Sequence, residues 1–363
     1  MAAALLCAAP VTAAEDSPSS DLSCETPTIL TRYPVQGAIG AQWNGPTQTL
    51  AYGRPRPDGH YAAYLNDAAG ARERRVNSSL WRDDRHQFPV AWHPSGRYVM
   101  LTVEAATHSG SSTSAIPGYG AYSDYWLVTP DGSNAWRMTD VPKDRDHAIT
   151  HAAFSPDGSL FIWTERIGAP RISWNLLAGS YRFNVSRFVD GDPPRLTDTR
   201  SIVPGGQPQG GEVESIAADN RTIAFYSTYR SRNLLASRIY TMDIASGDIQ
   251  ELTRESFAQA PRFTPNGKRI VYMAGAGADT FPFSLQGADW WIMNLDGSRK
   301  QRLSFMNKHN HPQSDGRFRL AGSVSFVSSD AFFGDVMTKS LGLNGYIVRA
   351  QLRTDCLDRL SAQ

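Results

Sequence analysis

Two histidines separated by one residue, His309 and His311, lie in the segment KHNHPQSDG. In extended backbone, alternate side chains point the same way, so both imidazoles could bind one divalent ion. His151, from a neighbouring part of the fold, is the expected third ligand, and the amide oxygen of Gln313 the fourth. The pattern thus predicts a divalent metal site, for Mn, Ca or Zn. The alternative is that these histidines are surface or hydrogen-bonding residues.

A second group of residues has the chemistry to abstract a proton next to a carboxylate. That reaction needs a positioned base, and a metal or an arginine to stabilise the anion that forms. His147 and His151, in HAITHAAF, are the candidate bases. Arg166 and Arg262 are the candidate stabilising cations, with Arg254 as a third. We therefore name His147, His151, Arg166 and Arg262 as candidate catalytic residues.

Aromatic residues set among glycine and serine form a candidate binding surface. Such residues suit sugar rings or peptide side chains. They lie in long connections between repeated units, where binding sites are often built on a rigid scaffold. The candidate ligand-binding residues are Tyr119, Tyr122, Trp174, Arg254, Gln259, Phe281 and Phe283. The alternative is that these connections only cover the fold.

The elements that must position these residues are repeated β-hairpins. Four segments share an apolar strand, a tight turn and a second apolar strand: 88–104, 151–166, 213–228 and 260–275. A second hairpin follows each, in 124–139, 182–197, 238–253 and 289–304, and closes on Leu-Thr, Leu-Ser or Met-Thr. Glycine in the turns takes the left-handed conformation that other residues resist.

Two hairpins for each unit make a four-stranded antiparallel sheet, which is a propeller blade. Weaker units at 38–84 and 322–353 bring the count to six, with seven as the alternative. We therefore predict an all-β fold, a six-bladed β-propeller. A strand at Thr28–Arg32 is expected to complete the final blade and close the ring.

The composition excludes several classes of protein. In 363 residues, 36 Lys and Arg offset 35 Asp and Glu, giving a net charge of +1. A basic nucleic-acid-binding protein would carry a cationic excess, and a disordered chain would hold fewer aromatic residues than the 10% found. After residue 14, no segment has the roughly 20 consecutive apolar residues of a membrane-spanning helix. We expect a folded monomer with no nucleic-acid partner and no membrane span.

The first fourteen residues are apolar and small, which predicts a signal peptide at 1–14 and a secreted or periplasmic protein. The other expected boundaries are an N-terminal segment at 15–27, a single propeller domain at 28–356 and a C-terminal tail at 357–363. Loss of Cys7 with the signal would leave Cys24 and Cys356, near the two ends of the ring. Because exported proteins favour disulfides, we predict that these two cysteines are bridged. The alternative is two free thiols.

The segments FSPDGSLFIWTE, FTPNGKRIVYMA and WWIMNLDGSRKQRLS resemble the WD40-like PD40 repeats of TolB-type propellers, over about residues 38–353. A weaker similarity is to the oligogalacturonate lyases, propeller enzymes that use a divalent metal. His309-x-His311-Pro312 and His151-x-x-Phe154-Ser155-Pro156 carry that similarity. The chain departs from the lyase pattern at Gln259, where a histidine ligand is expected, and at Met306, where a glutamine is expected.

Three functions follow from these patterns. The first is an exported propeller that binds a saccharide or peptide ligand on the loop-rich face over the central channel. The second is a metal-assisted polysaccharide lyase, or a related carbohydrate-active enzyme, acting on uronate oligosaccharides. The third is a periplasmic protein-interaction scaffold. Repeats of this kind indicate a fold and leave all three functions open.

Overall fold

A computed structural model describes residues 27–76, 84–108, 120–169, 179–230, 236–255, 257–275, 287–338 and 344–353. Strands make up nearly all of the regular structure. The first half contains β1 (Thr28–Arg32), β2 (Ile39–Asn44), β3 (Thr49–Pro55), β4 (Tyr61–Asp67), β5 (Arg74–Arg75), β6 (Gln87–Trp92), β7 (Val99–Glu104), β8 (Ser123–Val128), β9 (Ala135–Arg137), β10 (His147–Phe154), β11 (Leu160–Gly168), β12 (Ser180–Val189) and β13 (Arg195–Ile202).

The second half contains β14 (Gly211–Ile216), β15 (Thr222–Ser227), β16 (Arg238–Asp243), β17 (Ile249–Glu251), β18 (Ala258–Phe263), β19 (Arg269–Gly275), β20 (Ala288–Asn294), β21 (Gln301–Arg302), β22 (Leu320–Ser328), β23 (Ala331–Met337) and β24 (Gly345–Leu352). Two short 3₁₀ helices occur at Ala106–His108 and Pro204–Gly206. None of the helical turns within the described ranges has the length and hydropathy that crossing a bilayer requires.

The strands form propeller blades, but not the expected six or seven separate ones. Four sheets each contain four consecutive antiparallel strands: β2–β5, β6–β9, β10–β13 and β14–β17. The remaining strands belong to one eight-stranded sheet, in which a single parallel pair, Ala288 with Leu320, connects β20 to β22. The Ala288 N–H donates to the Arg319 carbonyl at 3.0 Å. The predicted number of blades is therefore wrong. The strands that were assigned to two separate blades are joined by this pair into one sheet.

The innermost strands form a closed ring around an axis. β2, β6, β10, β14, β18 and β22 contact one another in succession, and β22 contacts β2. Apolar and aromatic side chains fill the space between neighbouring sheets, as for Tyr125, whose ring meets Phe161 edge-on at 5.4 Å. Within the eight-stranded sheet, the Trp290 ring of β20 meets Phe332 of β23 edge-on, also at 5.4 Å. Burial of rings such as Tyr125 and Phe161 stabilises the stacking of each sheet on the next.

In three of the sheets, the residues that follow the outermost strand make the same contact with the neighbouring strand. The hydroxyls of Thr139, Thr253 and Ser304 accept backbone N–H bonds from β8, β16 and β20, at 2.9, 2.9 and 3.0 Å. These are the last residues of the Met-Thr, Leu-Thr and Leu-Ser pairs seen in the sequence. The repeated dipeptide therefore places one apolar residue in the core and one hydroxyl at an otherwise unpaired amide.

A second recurring contact joins one sheet to the next. Asp335 Oδ1 in β23 accepts the N–H groups of Gly40 and Ala41 in β2, at 2.8 and 3.2 Å. The Thr164 hydroxyl in β11 accepts the N–H of Val213 in β14 at 2.8 Å. In each case a side chain of the preceding sheet satisfies a backbone amide of the next inner strand. The Asp335 contact joins the last strands of the ring to its first inner strand.

The N-terminal strand completes the eight-stranded sheet, as predicted. β1 pairs antiparallel with β24 along its whole length, from Thr28 opposite Leu352 to Arg32 opposite Val348. The Arg353 N–H donates to the Pro27 carbonyl at 2.8 Å, so the two ends of the described chain meet. Cys24 and Cys356 lie outside the described residues, and their disulfide stays a prediction.

We expect that iodoacetamide labels Cys24 and Cys356 only after reduction, as measured by peptide mass spectrometry of the protein purified without reductant. Because the bridge would restrict a very long loop of the unfolded chain, Cys24→Ser with Cys356→Ser should lower the free energy of unfolding by about 4 kcal/mol. Labelling of both thiols in unreduced, denatured protein would contradict the pairing.

Loss of the Asp335 acceptor should open the ring at its closing contact. We expect Asp335→Leu to lower the free energy of unfolding by about 2 to 4 kcal/mol, because two buried amides lose their partner. Asp335→Asn keeps one acceptor oxygen and should cost less than about 1 kcal/mol at neutral pH. Equal losses in the two variants, measured by urea unfolding, would contradict this role.

The unaltered protein and Asp335→Asn should also differ in how their free energy of unfolding depends on pH. Burial raises the pKa of the Asp335 carboxyl from 3.8 to about 7, although bonds from Ala41 and Gly40 favour the charged form. The folded state therefore holds this proton more tightly than the unfolded state does. The contribution of Asp335 to folding should fall as pH rises from 3.8 to about 7, and this slope should be absent in Asp335→Asn.

Candidate functional site

Each innermost strand is interrupted at a corresponding position, where its pairing with the second strand shifts register. The shifts occur between Ile39 and Gln42, Pro89 and Ala91, Ile149 and Ala152, Val213 and Ser215, Gln259 and Arg262, and Ala321 and Val324. A β-bulge redirects a side chain that would otherwise follow the alternation of the strand. In this ring the redirected residues include His151 and Glu214, and both face the axis.

The bulges surround an axial cavity of about 200 Å³. Its wall is largely apolar and includes Ile39, Phe88, Ile149, Met273 and Met337. Six ionisable or amide side chains interrupt that wall: Gln42, His151, Glu214, Tyr226, Gln259 and Asp335. Because one water occupies about 30 Å³ in the liquid, the cavity has room for a few waters or one small chemical group.

A network of charged side chains lies on one side of this cavity. His151 Nδ1 is 2.7 Å from Glu212 Oε2 and 3.2 Å from Glu214 Oε1. Arg262 Nη2 lies 3.5 Å from Glu214 Oε2, and the Tyr226 hydroxyl donates to Glu212 Oε2. His151 comes from β10, both glutamates from β14 and Arg262 from β18. Three successive inner strands therefore supply the network, which we call the axial cluster (His151, Glu212, Glu214, Arg262).

Burial and mutual attraction set the charges of the axial cluster. Burial alone would lower the pKa of His151, but Glu214 and Glu212 outweigh it and raise that pKa to about 9. Burial opposes ionisation of Glu212 too, yet the His151 charge and the bonds from His151 and Tyr226 lower its pKa. Burial raises the pKa of Glu214, and it lowers that of Arg262. At neutral pH the network therefore holds a protonated imidazole beside the Glu212 carboxylate.

Glu214 is the least satisfied member of the axial cluster. Its side chain has no solvent exposure, and neither carboxylate oxygen has a hydrogen-bond partner among the described residues. The approaches of His151 and Arg262 are ion-pair contacts without hydrogen-bond geometry. A buried carboxylate in this state is costly to the fold, and such groups call for a structural or functional explanation.

The structure brings three of the sequence-derived candidates together: His151 and Gln259 line the cavity, and Arg262 contacts Glu214. Gln259 lines the wall and donates to the Ser237 hydroxyl at 3.2 Å. His147 lies at the start of β10, where its Nδ1 is 2.8 Å from Asp144 Oδ1, away from the cavity wall. Arg166 donates to the carbonyls of residues 145 and 146, at 2.9 and 3.3 Å, and does not line the cavity.

The expected metal set of His151, His309, His311 and Gln313 does not assemble. Residues 305–313 form turns instead of extended chain, and Asn310 has φ of +60°, so the two histidines do not alternate along a strand. The His311 ring stacks on Phe305 at 4.6 Å. Gln313 is engaged elsewhere, donating to the Thr28 carbonyl of β1 at 2.6 Å. Within the described ranges, the group with metal-ligand spacing is His151, Glu212 and Glu214.

The structure describes three of the seven candidate ligand-binding residues: Tyr122, Arg254 and Gln259. Tyr122 is half-buried with φ of +56°, and its ring stacks on His108 at 4.1 Å. Arg254 is exposed and does not line the cavity. The remaining aromatic candidates lie outside the described residues: Tyr119, Trp174, Phe281 and Phe283.

Sequence reasoning missed Glu212, Glu214 and Asp335. A signal for the first two was present, because GEVESI places two carboxylates at alternate positions in a strand that the repeats assign to the interior of a blade. Charged residues in such a strand cannot reach bulk water and must face a partner or a cavity. Asp335, in AFFGDVM, carries the same signal on a second strand.

The Glu214–Arg262 contact should show strong coupling. We expect Glu214→Gln and Arg262→Met each to lower the free energy of unfolding by about 3 kcal/mol, because each leaves a buried charge without its partner. The double variant should cost at least about 1 kcal/mol less than the sum. Urea unfolding of the four proteins measures this, and additive losses would show that the two side chains act separately.

Comparison with known proteins supports the fold. No protein-family model matches the chain. Tricorn protease homolog 1 of Streptomyces coelicolor is 28% identical over 163 residues, which are 44% of this chain and 11% of that protein. The chain thus spans about a tenth of the length of this curated relative.

Two solved structures are similar in shape. TolB from Acinetobacter baumannii gives a TM-score of 0.50 at 14% identity, covering 85% of this chain and 65% of that one. Oligogalacturonate lyase from Vibrio parahaemolyticus gives 0.49 at 12% identity, covering 89% and 93%. At these identities the likeness concerns architecture alone. The resemblance predicted from the repeats is confirmed, and the chain is a β-propeller with a TolB-like fold.

Proposed function

We propose that this protein is a ligand-binding propeller that takes a saccharide or peptide over the mouth of its axial channel. In this proposal the ligand projects one polar group into the cavity, where it meets Glu214 and His151. The proposal includes export, which is supported by the apolar segment at 1–14 that the sequence predicts to be a signal peptide.

The observation that carries this proposal is the unsatisfied carboxylate of Glu214. A ligand hydroxyl or ammonium group that donates to Glu214 would supply the hydrogen bonds that the described protein atoms do not. Such a bond to a charged acceptor typically contributes about 1.5 to 3 kcal/mol. The unsatisfied Glu214 carboxylate destabilises the free protein, and a bound ligand would offset this cost by donating the missing hydrogen bond.

Both ligand classes fit the wall of the cavity. Sugars offer hydroxyl donors next to apolar C–H faces, and a peptide offers an ammonium group next to apolar side chains. The wall provides Phe88, Ile149 and Met273 for the apolar part and Glu214 for the donor. Because about 200 Å³ holds only a small group, the rest of the ligand would lie outside the cavity.

Binding can be tested by calorimetry with galacturonate oligosaccharides, neutral oligosaccharides, and tripeptides with free or acetylated N-termini. We expect one class to bind, and Glu214→Gln to weaken that binding at least about tenfold through loss of the charged acceptor. Glu255→Gln, which changes a partly exposed glutamate outside the cavity wall, should bind like the unaltered protein. Binding unaffected by Glu214→Gln would contradict the proposed site.

The same oligosaccharides and protein variants also test the two alternative functions, lyase and protein-interaction scaffold. Release of an unsaturated product from galacturonate oligosaccharides, followed by its absorbance, would replace the binding role with a lyase activity. Capture of a protein partner that is unchanged by Glu214→Gln would instead favour a scaffold that uses the outer surface of the ring.

A further inference from the structure

We propose that His151, Glu212 and Glu214 bind one divalent transition-metal ion in the axial cavity, through one imidazole nitrogen and two carboxylate oxygens. This inference deepens the proposed function, since it assigns an ion to the same site. It replaces the histidine pair of residues 309 and 311 with ligands from β10 and β14.

The spacing of the three donor atoms fits a coordination shell. His151 Nδ1 lies 2.7 Å from Glu212 Oε2 and 3.2 Å from Glu214 Oε1, and all three donors lie within 4.8 Å of one another. With metal–ligand bonds of about 2.1 Å, adjacent ligands stand about 3.0 Å apart in an octahedron and about 3.4 Å apart in a tetrahedron. The donors therefore need only small side-chain shifts to surround an ion.

An independent observation at Glu214 also points to a cation. Its carboxylate is fully buried and has no hydrogen bond from any described residue, yet it lies on the wall of a cavity large enough for an ion with one or two waters. A metal ion would bind Glu214 Oε1 directly and take the place of the proton on His151 Nδ1. The remaining coordination positions would face the open part of the cavity.

Neighbouring groups hold the ligands in position, as outer-shell groups do in established metal sites. The Tyr226 hydroxyl donates to Glu212 Oε2 and fixes that carboxylate. Arg262 stands 3.5 Å from Glu214 Oε2, beside the oxygen that does not approach His151. The bulges of β10 and β14 aim His151 and Glu214 at the axis. The three ligands thus come from two inner strands of the ring, β10 and β14.

The donor set selects the class of ion. Ca²⁺ prefers six to eight oxygen ligands and Mg²⁺ binds oxygen in a strict octahedron, whereas imidazole suits first-row transition ions. One nitrogen and two carboxylates favour Zn²⁺ or Mn²⁺ over Ca²⁺. A bound ion would also give a saccharide or peptide oxygen a direct ligand in the channel.

The experiment uses the full chain, stripped with EDTA and dialysed, then titrated calorimetrically with ZnCl₂, MnCl₂ and CaCl₂. We expect one Zn²⁺ or Mn²⁺ per chain, with Ca²⁺ at least about 100-fold weaker. Glu214→Gln should weaken Zn²⁺ binding more than about 100-fold, and Tyr226→Phe by about tenfold, as expected for outer-shell support. A double His309→Ala, His311→Ala variant is the matched control and should bind Zn²⁺ unchanged.

Co²⁺ absorption spectroscopy on the unaltered protein gives a readout that does not depend on whether a variant folds. Saturable d–d bands at one Co²⁺ per chain, displaced by Zn²⁺, are expected. No saturable bands, or Zn²⁺ binding lost only in the His309 and His311 variant, would overturn the assignment. Repeating the saccharide and peptide titrations in EDTA distinguishes the two proposals: ligand binding without ion binding removes only the metal site, and ion binding without any organic ligand removes only the proposed function.

Discussion

The structure depends on how the bulged inner strands satisfy their backbone amides. A bulge places two residues opposite one and disrupts the local ladder, and a buried N–H without a partner is costly. The preceding sheet supplies the acceptor, as Asp335 does for Gly40 and Ala41 and as Thr164 does for Val213. Each sheet therefore fixes the position of the next, and the ring is specified by polar contacts as well as by apolar packing.

The same bulges create the site. Without them, the alternation of β10 and β14 would continue unbroken past His151 and Glu214, and the register shifts bring both to the axis. There the low-polarity surroundings strengthen the attraction between imidazole and carboxylate, which raises the pKa of His151 although burial opposes its charge. A ring that holds opposite charges in a small cavity is prepared to exchange its internal contacts for contacts with a bound ion or ligand.

Local patterns in the sequence predicted local structure well. The hairpins follow from turn chemistry and strand alternation, which act over a few residues. The pairing of β1 with the final unit was also predicted, although it joins distant residues. The number of separate blades was predicted wrongly, since β20 and β22 share a sheet through one pair, Ala288 with Leu320. The His309 and His311 pair did not assemble with His151, because Asn310 adopts a positive φ that the alternation rule does not anticipate. The Glu212 and Glu214 contacts with His151 span about 60 residues and depend on the ring itself.

The pairing of β1 with β24 has a consequence for biosynthesis. Among the described strands, β1 leaves the ribosome first, yet its ladder partner there is β24, the last one made. At about 5 to 20 residues per second, β1 waits for roughly tens of seconds with Thr28, Leu30 and its backbone edge unprotected. The pairing that completes the last sheet can therefore form only once translation has delivered residues 345–352.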